Sequence, residues 1–316
     1  MKKLLALVLA LTMLVAVFAA CGEKDTPTTA STTEATTTTE KSTETTVTTE
    51  TTVTTTEATT VTTTEETTTE TTTAETTTEE PPVVVVTGPE AYVDISFADG
   101  KITDAKGNAS FTNEGATVGK ASVTFGGNTY EVDALSASKD KYVIGKFNKL
   151  STSSEMKAWA EKGFTVEAFY VMSIKNGAIQ GIVCGTQNGG WGLAEDRTGK
   201  PYFLTGGGTS YNTGAYATSA SAELVHVVGV YSISDGKCYI YVNGKLNASV
   251  AINSTFKVGA DGTFNYFCLG NDITKGNVGG DFPTKGMTMV DGKIYTGALT
   301  AEQIAEAYNS ALKLLK

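Results

Sequence analysis

Few residues in this chain could carry chemistry. His226 is the only histidine among 316 residues, so any Ser-His-Asp or Cys-His arrangement would have to use it. It stands in step with Leu224, Val228 and Val230 in an apolar run, and a period of two puts all four on one side of a strand. That predicts a packed structural histidine and not a general base. Hydrolysis of a sugar bond needs two carboxylates flanking the scissile bond. The one strand-borne E-x-D is Glu131-Val132-Asp133, and its third position is Leu135, which predicts two acids on a solvent face. Four cysteines, without a C-x-x-C pair or an H-E-x-x-H helix, supply no zinc site. Cys184, Cys238 and Cys268 lie in apparent strands beside Ile, Leu or Val. They are buried free thiols, or Cys184 and Cys268 bridge neighbouring strands.

Sugar binding would need aromatic platforms with amide and carboxylate partners. Three stretches qualify. The first, Thr186 to Arg197, contains Trp191 and Glu195; the second, Gly206 to Tyr216, contains Tyr211, Asn212 and Tyr216; the third opens with Gly270-Asn271-Asp272. Tyr211 and Tyr216 sit in a segment too rich in Gly and Ser for a core, which predicts exposed rings. Trp191 alternates with Leu193, so core and ligand contact both stay open for it.

The elements that position these residues occupy only part of the chain. Residues 26–80 hold 33 Thr and 11 Glu in 55 positions, with one Lys and no aromatic residue. Such a tract has little to bury against the entropy of ordering. Thr is β-branched and disfavours helix, and the glutamates repel one another, so the tract reads as an extended stalk. At about 3.3 Å per residue it reaches at most about 180 Å. It is either O-glycosylated or a bare spacer. The chain's net charge of -10 equals the stalk's 11 Glu less its one Lys. The remainder balances, and it has a single arginine, Arg197. Nucleic acid is therefore not an expected partner.

Ahead of the stalk, Lys2 and Lys3 precede an apolar stretch from Leu4 to Phe18, then Ala19-Ala20-Cys21-Gly22. A short apolar stretch with a basic start and small residues at its end reads as an export signal. It resembles the bacterial lipoprotein signal. That resemblance implies acylation of Cys21 and a membrane partner reached through it, with localisation on the outer side of the bacterial membrane at the cell surface. Stable anchoring takes more than one acyl chain, which a diacylglyceryl group supplies.

From residue 83 the texture changes. Short β-branched and aromatic runs alternate with turn signals such as Gly126-Gly127-Asn128 and Asn243-Gly244-Lys245, the pattern of an all-β sandwich or jelly roll. Thirteen strands are expected, among them Tyr92–Phe97, Phe164–Ser173, Trp191–Ala194, Pro201–Leu204, Leu224–Ile233 and Thr288–Tyr295. Two helices are expected as well. Thr152 with Glu155, and Thr300 with Gln303, are spaced as capping boxes ahead of Ser153–Lys162 and of the C-terminal segment.

Four blocks then carry a family resemblance. They are Phe164-Thr-Val-Glu-Ala-Phe-Tyr, Leu224-Val-His-Val-Val-Gly-Val-Tyr, Tyr239-Ile-Tyr-Val-Asn-Gly-Lys, and the stretch from Asp291 to Ile304. In order and spacing they resemble laminin-G-like domains of the concanavalin A-like lectin/glucanase superfamily. The resemblance implies a jelly-roll sandwich of two antiparallel sheets over residues 83–316, behind a signal at 1–20 and a disordered stalk at 21–82. Similar domains often hold a structural calcium where the first and last strands meet. That makes Asp99, Asp104, Asn108 and Asp291 candidates, although a calcium site needs six to eight oxygens and ordinary Asx turns are the alternative. Apart from that calcium no cofactor is expected. Function does not follow from the fold, which hosts lectins, enzymes and protein-binding modules. The favoured expectation is a monomeric, non-catalytic surface module that binds a glycan. A protein-binding or structural module and a divergent hydrolase or lyase are the alternatives.

Overall fold

The computed structural model describes residues 90–316 except 151, 174–176, 186–189, 207–210, 254–264, 275–276 and 279–281. At 153, 211–213, 274 and 277–278 it describes the backbone alone. The signal, Cys21 and the stalk lie outside the described residues.

In chain order, β1 (Val93–Ser96), β2 (Thr103–Asp104), β3 (Ala109–Glu114), β4 (Thr117–Phe125), β5 (Asn128–Ala137) and β6 (Tyr142–Phe147) precede helix α1 (Ser153–Glu161). There follow β7 (Phe164–Met172), β8 (Gln180–Cys184), β9 (Trp191–Glu195), β10 (Pro201–Gly206), β11 (Tyr211–Tyr216) and β12 (Val225–Ser232). The chain continues with β13 (Lys237–Val242), β14 (Lys245–Ala251), β15 (Tyr266–Leu269), β16 (Ile273–Thr274), β17 (Asn277–Val278) and β18 (Met287–Tyr295), and closes with α2 (Ala301–Leu312).

Two antiparallel sheets form the body. The first runs β14-β13-β12-β7-β18-β1-β2 and takes on the β4–β5 hairpin through β5 and β18. The second runs β11-β10-β9-β8-β15-β6-β3. This is the two-sheet antiparallel sandwich that the resemblance implied. Side-chain alternation builds its core. Val166, Ala168 and Tyr170 of β7, Val225, Val227 and Tyr231 of β12, and Val93 and Ile95 of β1 face Leu193, Phe203, Phe267 and Leu269 of the second sheet in one continuous cluster. The other phase of the first sheet is covered too. Val123, Val132 and Ala134 of the hairpin pack with Phe169, Val290 and Ala311. Val228, Val230 and Tyr295 pack with Leu299 and Ile304. So α2 and the hairpin roof that sheet.

Both helices begin with the expected capping boxes. The hydroxyls of Thr152 and Thr300 accept from the backbone N–H groups of Glu155 and Gln303, whose side chains reach back. Each box satisfies two N–H groups that the first turn would otherwise leave open. The Asn243-Gly244 turn has both residues at positive φ (49° and 73°), the mirror-image turn that suits the twist of a hairpin. Five strands were not anticipated: β3, β11 and the two-residue β2, β16 and β17. β3 and β11 are the edge strands of the second sheet. Each has one neighbour, so the alternation signal is weak: β3 buries only Ala109 fully, and β11 reads YNTGAY.

Candidate ligand-binding site

Strand β10 sends Phe203 into the core and Tyr202 and Leu204 to the other face of the second sheet, where they cluster with Cys184 and Ala194. On the neighbouring strand Tyr216 pairs with Tyr202 in register. Directly opposed residues project to the same face, and here the rings stack at 4.9 Å with an interplanar angle of 13°. Tyr202 is buried beneath, while Tyr216 is 52 % exposed. Burial pushes the Tyr202 phenol above its usual range, so it stays neutral and acts as backing. Gly214 leaves room for the ring to lie flat, since a Cβ there would come within 2.8 Å of the outer edge of the Tyr216 ring. The result is a flat, supported aromatic face open to solvent. The adjoining β9–β10 turn is closed by Asp196, whose Oδ1 accepts from the N–H groups of Thr198 (2.7 Å) and Lys200 (3.0 Å), and the next residue, Arg197, is exposed.

The other expected ligand contacts fall elsewhere. Trp191 is 3 % exposed and packs against Trp159 and Phe164, with centroids 6.3 and 6.1 Å away. Its alternation with Leu193 settles it as a core ring, which corrects its candidacy as a platform. Glu195 is 1 % exposed, and its Oε1 accepts from the Tyr170 hydroxyl at 3.2 Å inside the sandwich. Asn271 and Asp272 are also buried. Asn271 Oδ1 accepts from Asp272 N (2.9 Å) and Asp272 Oδ1 from Phe282 N (3.2 Å), so these side chains brace a loop. Tyr211 and Asn212 lie on β11 beside Tyr216, but their side chains are outside the described part. The sequence reading missed Tyr202, although the alternation of Pro201–Leu204 already put it opposite Phe203.

The calcium candidates do not converge. Asp104 closes a turn with both oxygens. Oδ1 accepts from Asp94 N and Lys106 N, and Oδ2 from Asn108 N and Ala109 N, all within 2.6–2.9 Å. Asp291 pairs with Lys293, and Asp99 is an exposed residue at positive φ. Among the described residues no group of three or more His, Cys, Asp or Glu could hold a metal. Asp104 is the Asx-turn alternative.

A second polar cluster lies on the roofed face of the first sheet. Glu167 of β7 is buried among three donors: the Tyr295 hydroxyl at 2.6 Å, His226 Nε2 at 3.0 Å and Lys293 Nζ at 3.5 Å. Burial acts to raise its carboxyl, but Lys293, His226 and Tyr295 outweigh that and hold it at about 2. Asp291 moves the other way, raised mainly by burial, with Glu167 adding to it. Tyr308 of α2 sits over His226, centroids 5.5 Å apart. His226 and Glu167 are fully buried, Lys293 and Tyr295 reach a cavity beside α2, and the Tyr308 contact anchors the helix. His226 is therefore a structural histidine. Glu131 is exposed and Asp133 pairs with Lys120 at 2.9 Å on the hairpin, which is a solvent face as expected.

The fold alone places the chain in a class of sandwich domains, and comparison makes the family specific. The family model described as the concanavalin A-like lectin/glucanases superfamily, of laminin-G type, matches residues 145–305. That is just over half of the 316 residues, and the chain belongs to this family. No curated protein matches it in sequence. Among solved structures it resembles the receptor binding domain of botulinum neurotoxin C/D mosaic serotype, with TM-score 0.52 and 15% identity over 70% of this chain and 51% of that one. The binding domain of botulinum neurotoxin DC in complex with rat synaptotagmin II gives TM-score 0.52 and 14% identity, over 69% and 51%. The same domain in complex with SialylT gives TM-score 0.52 and 16% identity, over 70% and 51%. The chain thus spans about half the length of these structures, and the likeness is one of fold.

Proposed function

We propose that this chain is a non-catalytic surface module that binds a glycan on the outer face of the second sheet, with Tyr216 as its stacking platform. The observation that carries the reading is the Tyr216 ring, half exposed yet held flat on Tyr202. A sugar ring's apolar face suits such a surface, because the stacking partner is already ordered and loses little freedom on binding. Sialyl-sugar and ganglioside recognition by structures of similar fold supports a glycan. The synaptotagmin complex keeps a protein ligand as the second reading. The near-neutral domain favours an uncharged ligand over a polyanion.

The full chain is screened on a glycan array, and the best ligand is titrated by calorimetry. Tyr216→Ala is expected to weaken binding about tenfold or more, which corresponds to about 1.4 kcal/mol or above, while thermal stability stays near wild type because the ring is half exposed. Undiminished binding by that variant rejects the site. Sugar release from a polysaccharide, lost in Glu131→Ala, rejects the non-catalytic reading.

Display at the surface rests on Cys21 and the stalk. Acylated Cys21 anchors the chain, and the Thr/Glu tract holds the module, acting as a monomer, away from the membrane. Cys21→Ser is expected to release the protein into the medium. Retention of that variant in the membrane fraction rejects acylation as the tether.

A further inference from the structure

Strands β8 and β15 are neighbours, and Cys184 lies directly opposite Cys268 across them. Opposed residues of an antiparallel pair share a face, with Cβ atoms about 4.5–5.5 Å apart. The Cα separation of such pairs, about 4.5–5.5 Å, falls within the range that a disulfide spans, while the Cβ separation exceeds that of a relaxed bridge, about 3.5–4.5 Å, so the strands must draw together to close it. In the structure both are free thiols. The flanking Phe267 and Leu269 point into the main core, so both thiols project to the outer face, where Cys184 clusters with Ala194, Tyr202 and Leu204. Glycines make room for the sulfur. A Cβ on Gly181 or Gly192 would lie 3.1 or 3.2 Å from Cys184 Sγ. Cys238 is not part of this pair. It belongs to the core side of the first sheet, with its sulfur 3.7 Å from Thr205 Oγ1.

We propose that Cys184 and Cys268 form a redox couple, a dithiol under reducing conditions and a cross-strand disulfide under oxidising ones. The oxidant is a small-molecule disulfide such as oxidised glutathione. One cysteine thiolate attacks it, giving a mixed disulfide and one glutathione. The second cysteine then displaces the other glutathione. Two cysteine S–H bonds and the glutathione S–S bond break, one cysteine S–S bond and two glutathione S–H bonds form, and the two protons and two electrons end on the two glutathione thiols. The bridge is reversible. Gly270 N donates to Ile182 O at 3.1 Å, so by a period of two the cysteines also occupy a hydrogen-bonded pair. There the Cβ atoms stand at the wider end of the range, and a bridge closed under strain is more easily reduced. Burial raises both thiols above their usual range, so exchange in the folded state is slow. The couple does not depend on glycan binding, but Cys184 shares its cluster with the tyrosine that backs Tyr216.

The test uses the full chain in a Cys21→Ser background, leaving three of its four cysteines. It is equilibrated in glutathione buffers from reducing to oxidising, both folded and during refolding from denaturant. Samples are then alkylated, digested and weighed. The expected result is loss of two hydrogens, one alkylated cysteine in place of three, and a linked Cys184–Cys268 peptide that disappears in reducing buffer. Cys238→Ala should leave the bridge intact. Three alkylated cysteines in oxidising buffer by both routes, or a bridge that uses Cys238, overturns the proposal. The masses of the Cys21→Ser protein decide it even if Cys238→Ala fails to fold.

Discussion

Lys293→Met is expected to lower folding stability by about 3–5 kcal/mol, the usual cost of removing one partner from a buried ion pair. Small domains are stable by only about 5–15 kcal/mol, so this is a large share. The Lys293 ammonium pairs with Asp291 and lies 3.5 Å from Glu167 Oε1, and both acids are buried. Methionine keeps the length of the side chain but leaves two carboxylates without their shared cation. Urea denaturation of the full chain at neutral pH measures the loss as a shift in midpoint at constant slope. The double variant Lys293→Met with Glu167→Gln should lose less than the sum of the single losses, since it removes the charge that the first change strands. A loss under about 1 kcal/mol for Lys293→Met would mean that solvent, and not the lysine, compensates the acids.

The same cluster sets the acid limb of stability. Glu167 is held at about 2 in the folded protein against an ordinary value of 4.5. A depressed carboxyl contributes stability that is present above the ordinary value and lost as pH falls toward the folded one. Melting temperature should therefore drop between about pH 4.5 and pH 2, and Glu167→Gln should flatten that limb. Asp291 opposes this, because its raised carboxyl takes up a proton first and relieves repulsion.

How much of this was legible in the sequence depended on whether one strand carried the signal. The capping boxes at Thr152 and Thr300, the Asn243-Gly244 turn and the packed phase of β12 that carries His226 were readable, because each is a local rule or a period of two within one segment. The four family blocks supplied the sandwich. The ligand face was harder. Trp191 and Glu195 sit on the inward phase of β9, yet their neighbours Gly189-Gly190 and Asp196-Arg197 look like an exposed loop. The Tyr202–Tyr216 stack depends on the register of two strands, one of them an edge strand whose preceding Gly206-Gly207-Gly208 made the segment read as a loop. Glu167 could have been noticed as the one acid in an otherwise apolar strand. That Lys293, Tyr295 and His226 converge on it depends on β18 and β12 flanking β7, which no local pattern encodes.

The second large effect is expected at Gly229. A Cβ there would lie 2.3 Å from the Phe203 ring, against 3.4–4 Å for ordinary contact. Phe203 comes from the opposite sheet and is fully buried, with Phe164 edge-on at 6.0 Å. The ring cannot swing away without displacing a second core aromatic, so either the sheets separate or the strand shifts. Overpacking of this kind costs about 1–3 kcal/mol and occasionally more. Gly229→Ala is placed at the upper end of that range and Gly229→Val beyond it, with Val expected to prevent folding. In a domain of this size each kcal/mol lowers the melting temperature by about 2–4 °C, so the alanine variant should melt roughly 6–12 °C lower. Gly297→Ala is the control, since a Cβ there meets nothing within 4 Å. Adding Phe203→Leu to Gly229→Ala should recover part of the loss, because the smaller side chain vacates the contested volume. Absence of that recovery would place the cost in the backbone of β12 and not in the contact between the sheets. The contact also bears on binding. Phe203 and Tyr202 are adjacent on β10, and a displaced Phe203 would tilt the tyrosine that supports Tyr216. Gly229→Ala should then weaken ligand binding even at temperatures where it is fully folded, whereas Gly297→Ala should not.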